Sequence, residues 1–174
     1  TSVQTIASRR LGQNKTRECI NALNNGFLLA IIYSVPVSLI GFFFGFKIIP
    51  VFISDTITAP LAISYFSISS LGLFFNSMSF VFQGFYTGVE KTRVHLSVTV
   101  SSNLINAYLN GGFIYGKKNI SSFFNNAFGG SFDLSFLWFW ADFDGLGVSG
   151  AALGTLIASI WMVLHYCYYL NKQP

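Results

Sequence analysis

Charge is what this sequence has least of. Only 9% of its 174 residues are Asp, Glu, Lys or Arg, where a soluble domain carries roughly 25%. That excludes the disordered and coiled-coil classes, which need charge-rich sequence. The net charge of +4 is spread over a chain that is 52% apolar, so no concentrated face exists for phosphate, and nucleic acid is not an expected partner. Cysteine is nearly absent too. Cys19 and Cys167 are one distant pair with no CxxC spacing, too few for a disulfide framework or a zinc site, and both read as packing residues. The two histidines, His95 and His165, have no acid near them in sequence at metal or catalytic spacing. No Ser-Lys, HExxH or paired intramembrane Asp is present. The expectation is therefore no catalytic residues, no metal site and no cofactor.

What is abundant is uninterrupted apolar sequence, including 20 Phe. The charges punctuate it. Uncharged runs extend from Cys19 to Phe46, Thr56 to Val89, Val94 to Gly116 and Gly145 to Asn171. Each exceeds the ~20 residues a helix needs to cross ~30 Å of hydrocarbon. Lipid cannot satisfy a free backbone group, and the runs do not alternate as barrel strands would, so the spans are expected to be helices. The fold class expected is all-α: a polytopic membrane helix bundle in the lipid bilayer. It has four complete transmembrane helices near 22–46, 60–86, 93–115 and 146–170, and residues 1–8 end a preceding one. Pro36 lies inside the first span, and Pro60 opens the second.

Orientation follows the basic residues. Arg9, Arg10, Lys15, Arg17, Lys91, Arg93 and Lys172 fall on one side, which should be cytoplasmic. The smaller set, Lys47, Lys117 and Lys118, falls on the other with Asp55, Asp133, Asp142 and Asp144. The segment 117–144 is then an outer insertion. Phe136, Trp138, Phe139 and Trp140 suit a headgroup interface, so it is expected to form a short interfacial helix or lid. A disordered insertion is the alternative.

Two motifs imitate nucleotide sites and fail. Gly145-Leu146-Gly147-Val148-Ser149-Gly150 matches G-x-G-x-x-G, yet no Asp or Glu follows Asp144 to hold a ribose. Its glycines are expected to mark a loop and a close helix contact. Gly84 to Thr92 imitates a P-loop, but two residues separate Gly88 from Lys91, so it reads as a helix end and a tight turn.

Asn103, Asn106 and Asn110 share one helix face by their spacing of three and four. Such residues are either interhelical glue, worth about 1 kcal/mol each, or the lining of a wet cavity. The residues alone leave both open.

Four stretches, in order, resemble the multidrug and toxic compound extrusion (MATE) family of transporters: QTIASRRLGQNK (4–15), FQGFYTGVEKTRV (82–94), NLINAYLNGGFIYG (103–116) and GLGVSGAALGTLIA (145–158). The resemblance implies most of one lobe of a two-lobed transporter, from the end of its second helix to the end of its sixth, and is closer to the amino-terminal lobe. The partners implied are the missing first helices and other lobe. In that lobe an acid on helix one, polar residues on helix five and a hydroxyl on helix six form a cation or proton site. Asn106 and Asn110 match the helix-five positions and Thr155 the hydroxyl. Some members carry an acid where Asn110 stands. The implied function is export of drugs or organic cations across an inner (plasma) membrane in exchange for H⁺ or Na⁺. Residues 117–142 are longer than the family's usual connection. The alternatives are a lipid-linked oligosaccharide flippase, disfavoured by spans without mid-depth Lys or Arg, and a non-transporting membrane assembly subunit.

Overall fold

The computed structural model describes residues 2–128 and 135–172. Helix α1 spans Ser2–Gly12, α2 Thr16–Phe52, α3 Thr58–Gly88 and α4 Thr92–Asn110. A π-helical segment, Gly111–Tyr115, prolongs α4. Helix α5 is Gly116–Phe128, a 3₁₀ turn covers Ser135–Trp138, and α6 spans Val148–Asn171. No strand occurs among the described residues. Helix α3 packs on α1, α2 and α6, and α6 packs in turn on α4. The buried core lies where α1, α2, α3, α4 and α6 come together: Ala7, Cys19, Leu23, Phe82, Phe85, Tyr86, Val98 and Tyr166.

Helices α2, α3 and α6 are long and apolar enough to cross a membrane. The protein is an all-α membrane helix bundle. The outward faces suit lipid: Tyr33 is 72% exposed, Phe43 60% and Leu104 67%, an apolar surface too extensive for a water-soluble monomer. The fourth expected span, 93–115, is α4 with its π extension. Its Ser, Thr and Asn residues keep it less apolar than the other three. Helix α2 outruns the expected 22–46. Its 37 residues reach ~55 Å, so it begins in the basic turn and ends beyond Lys47.

Small residues explain how α2 meets α3. Ser34, Ser38, Gly41 and Gly45 form a buried stripe on α2. Ser38 Oγ donates to the Ser70 carbonyl at 2.6 Å, and a Cβ on Gly41 or Gly45 would strike Ser70 or Ser67. Without a hydrophobic driving force between helices in lipid, this close approach supplies the packing.

One turn is used twice. Gly12-Gln13-Asn14-Lys15-Thr16-Arg17 joins α1 to α2, and Gly88-Val89-Glu90-Lys91-Thr92-Arg93 joins α3 to α4. In each, the third residue adopts positive φ (Asn14 57°, Glu90 62°). The Lys amide then reaches back five residues, Lys15 to Arg10 at 3.0 Å and Lys91 to Tyr86 at 2.8 Å. This is the Schellman closure of a helix end, and it is what the P-loop-like stretch builds. Gly88 lies against Gln4 and Ala7 of α1, so the two turns sit at the same end of the bundle. At the other end, Asp55 accepts hydrogen bonds from the Thr58 hydroxyl and from its amide, the latter at 2.8 Å. Chiefly through that hydroxyl bond, the Asp55 carboxyl is held below its ordinary value, as suits an acid capping a helix start.

Helix α5 occupies the first part of the 117–144 insertion; residues 129–134 of it lie outside the described residues. Trp138 and Trp140 do not point away as an interfacial belt would. They close on the π segment, where a Cβ on Gly111 or Gly112 would collide with their rings. Trp138 Nε1 donates to the Tyr108 carbonyl at 2.7 Å and Trp140 Nε1 to the Tyr108 hydroxyl at 2.8 Å. Phe136 and Phe139 remain exposed, at 62% and 74%.

Candidate functional site: the seam between α4 and α6

Glycine sets the depth of this seam. Gly145, Gly150 and Gly154 face α4 and its π extension. A Cβ on Gly150 would strike the Phe113 carbonyl, one on Gly145 the Ile114 carbonyl, and one on Gly154 the Asn110 side chain. The G-x-G-x-x-G stretch is thus a loop and a close contact. Its amides also close the π segment: Leu146 N–H donates to Phe113 O at 2.8 Å and Gly147 N–H to Ile114 O at 3.1 Å. Gly116 makes the sharp exit into α5 at φ 70°. A π segment costs regular hydrogen bonding and often marks a functional position. Here it begins one residue after Asn110.

The three expected site residues come together on this seam. Asn110 Nδ2 donates to Asn106 Oδ1 at 3.0 Å, and Asn106 Nδ2 donates to Thr155 Oγ1 at 3.3 Å. Thr155 Oγ1 in turn donates to the Ala151 carbonyl at 2.9 Å. The chain of donors leaves one atom over: Asn110 Oδ1 is buried without a hydrogen-bond partner. Asn103 is exposed and outside this network, though it lies on the same sequence stripe.

The sequence reading missed the rest of the seam. Ser159 Oγ, buried on α6, bonds Asn76 Oδ1 of α3 at 3.2 Å and the Thr155 carbonyl at 2.9 Å. Ser102 Oγ donates to the Ala158 carbonyl at 3.0 Å. Ser101 Oγ lies 2.8 Å from His165 Nδ1, and Ser97 Oγ lies 3.3 Å from the Tyr169 hydroxyl. His95 is not simply solvated at a helix end, as its position suggests. Its Nδ1 lies 2.6 Å from the Tyr166 hydroxyl, because the aromatic row of α6 passes beside it. A signal was available: positions 95, 99, 102, 106 and 110 of α4 are all polar at spacings of three and four, a longer stripe than the three asparagines.

With this geometry in place, comparison with known proteins decides the family. The MatE family profile matches residues 1–111. The chain belongs to the MatE family. That makes it a MATE-type transporter chain and a membrane protein, from a family of transporters and not of enzymes. The match takes in α1 to α4 with Asn106 and Asn110, and it ends on the first residue of the π segment. Thr155 lies beyond it. No curated protein and no solved structure matches the chain.

Proposed function

We propose that this chain forms part of a secondary active antiporter that exports drugs or organic cations across an inner (plasma) membrane in exchange for H⁺ or Na⁺. Asn106, Asn110 and Thr155 would form its coupling site. The observation that carries this reading is the unpartnered Asn110 Oδ1. A buried acceptor without a donor costs about 1–3 kcal/mol, and polar groups held at membrane depth are characteristically functional. Oxygen is the ligand type that a hard cation takes, and the cluster offers the Asn110 carbonyl oxygen, packed against Gly154, and the hydroxyl of Thr155, the next residue along α6. A proton needs a basic or acidic carrier, which these three residues do not supply. In that case their role is to orient the carrier on a neighbouring helix through the same acceptor. Either ion then shifts the protein between conformations of different drug affinity, by as much as it prefers one of them.

The test is drug efflux by the full-length protein. Asn110→Ala removes one side-chain bond within α4, to Asn106, worth about 1 kcal/mol, but also removes the orphaned oxygen. Membrane level should therefore hold while coupled efflux is lost. Asn110→Asp should keep part of the efflux and alter its pH dependence, since a buried carboxylate titrates. Asn103→Ala should matter less. Normal efflux by Asn110→Ala, with Asn103→Ala failing to accumulate, would make the stripe structural glue.

A further inference from the structure

At the end of the seam away from Asn110, His95 and Tyr166 stack with ring planes 5° apart, besides sharing the 2.6 Å bond. Tyr166 is fully buried. Its ring stacks on Phe82 and Tyr86 of α3, at 5.1 and 5.6 Å, and its carbonyl accepts from the Tyr86 hydroxyl at 3.3 Å. Tyr166 therefore ties α6 to α3, and its one remaining polar atom reaches across to α4. His95 is half-buried and lines a cavity of about 340 Å³ with Thr92, Arg93, Leu96 and Thr99. It thus joins a buried hydroxyl to an open cavity.

We propose that His95 is a proton-binding site whose charge state sets how closely α4 packs on α6 at the basic end of the bundle. With the ring neutral at Nδ1, the Tyr166 O–H donates to the nitrogen lone pair. When a proton from water binds Nδ1, the N–H donates to the Tyr166 oxygen instead. The tyrosine's own proton must then turn to another acceptor. Phe82 and Tyr86 present rings on that side. Thr99 Oγ1, 3.4 Å from His95 Nδ1 and within reach of the Tyr166 hydroxyl, is the acceptor to which that proton turns. Protonation therefore replaces one bond between Tyr166 and α4 by two, one of them charge-assisted, and draws α6 against α4 at this end.

The charged and titratable groups around the pair are few. On or just before α4 they are Arg93, Lys91 and Glu90. On α6 they are His165, Tyr166, Cys167 and Tyr169, and on α3 Tyr86. Glu18 is taken up in ion pairs with Arg10 and Lys15. Histidine is the side chain that ordinarily changes charge between about pH 5 and 8. This latch goes beyond the antiport reading and does not depend on Asn110.

The experiment uses the full-length protein in nanodiscs, with Cys19 and Cys167 replaced by Ser and spin labels on cysteines replacing Leu96 and Leu164. Both positions are exposed, at 64% and 59%. The interspin distance is followed by EPR from pH 8 to 5. The expected result is a single-proton transition in the parent. H95Q should abolish it and H165Q should retain it. Y166F should leave the histidine titrating while the distance change disappears. An H95Q protein that titrates like the parent, an H165Q protein that does not titrate, or a distance constant across the range overturns the proposal. Asn110→Ala should leave the transition intact; its loss there would assign the transition to the coupling site and overturn the latch. Should H95Q fail to fold, a ring-¹⁵N titration of the parent decides directly, because a His95 that takes no proton between pH 8 and 5 sinks the idea.

Discussion

Gly150 and Gly154 sit one turn apart on the same face of α6, yet adding a methyl group to each should have opposite consequences. Alanine in place of glycine inside a helix gains about 0.5–1 kcal/mol of helix propensity. Against that stands what the new Cβ meets. At Gly150 it meets the Phe113 carbonyl and the Ile114 amide nitrogen. Both are backbone, and the Phe113 carbonyl is already fixed by Leu146 N–H. Overpacking costs about 1–3 kcal/mol, and backbone cannot yield cheaply, so Gly150→Ala should lose up to ~2 kcal/mol net. At Gly154 the Cβ meets mainly the Asn110 side chain, with the Asn110 amide nitrogen at 3.3 Å. A side chain can rotate away. Gly154→Ala should therefore stay within ~1 kcal/mol of the parent while turning Asn110 off Asn106. Gly72, where the methyl would find only Leu156 Cδ1 at 4.0 Å, is the control and should gain stability. Equilibrium unfolding in bilayers or mixed micelles measures all three, and drug efflux is measured alongside. A Gly150→Ala protein as stable as Gly72→Ala would refute the claim that α6 is held against backbone. A Gly154→Ala protein with full efflux would refute the claim that the placement of Asn110 matters.

Asp55 gives a pH dependence at the opposite end of the bundle. Its carboxyl is lowered in the folded state, so the stability it lends the start of α3 is present above the ordinary carboxylate value and is lost as pH falls through the folded one. Amide exchange at the start of α3 should speed up in that acidic window in the parent and be fast throughout in Asp55→Ala. Trp140→Phe removes the bond to the Tyr108 hydroxyl and should cost about 1 kcal/mol or less, visible as faster exchange in the π segment. Cysteine labelling in intact cells should reach Ser121→Cys from outside and Lys15→Cys only after permeabilisation; external labelling at position 15 would invert the topology.

Membrane residence, the helical class and the approximate spans were legible in the sequence because they depend on local composition. An apolar run of sufficient length has no alternative to a helix in lipid, wherever its neighbours lie. The spacing of Asn106 and Asn110 placed them on one face for the same reason: helix geometry is fixed residue by residue. The repeated Gly-x-x-Lys-Thr-Arg turns are equally legible as a pair. The tertiary structure decided what composition cannot carry. Which face of α4 meets α6 depends on glycines 145, 150 and 154, distant in sequence from the carbonyls they admit. The π segment after Asn110 exists beside Trp138 and Trp140 and is closed by amides from beyond residue 144. The partner of His95 lies on another helix, so nothing local to His95 distinguishes a solvated ring from one bonded to a buried tyrosine. Whether a polar residue in a span is glue or site turns on which of its atoms are left unpaired, and that count can be made only once the neighbours are in place.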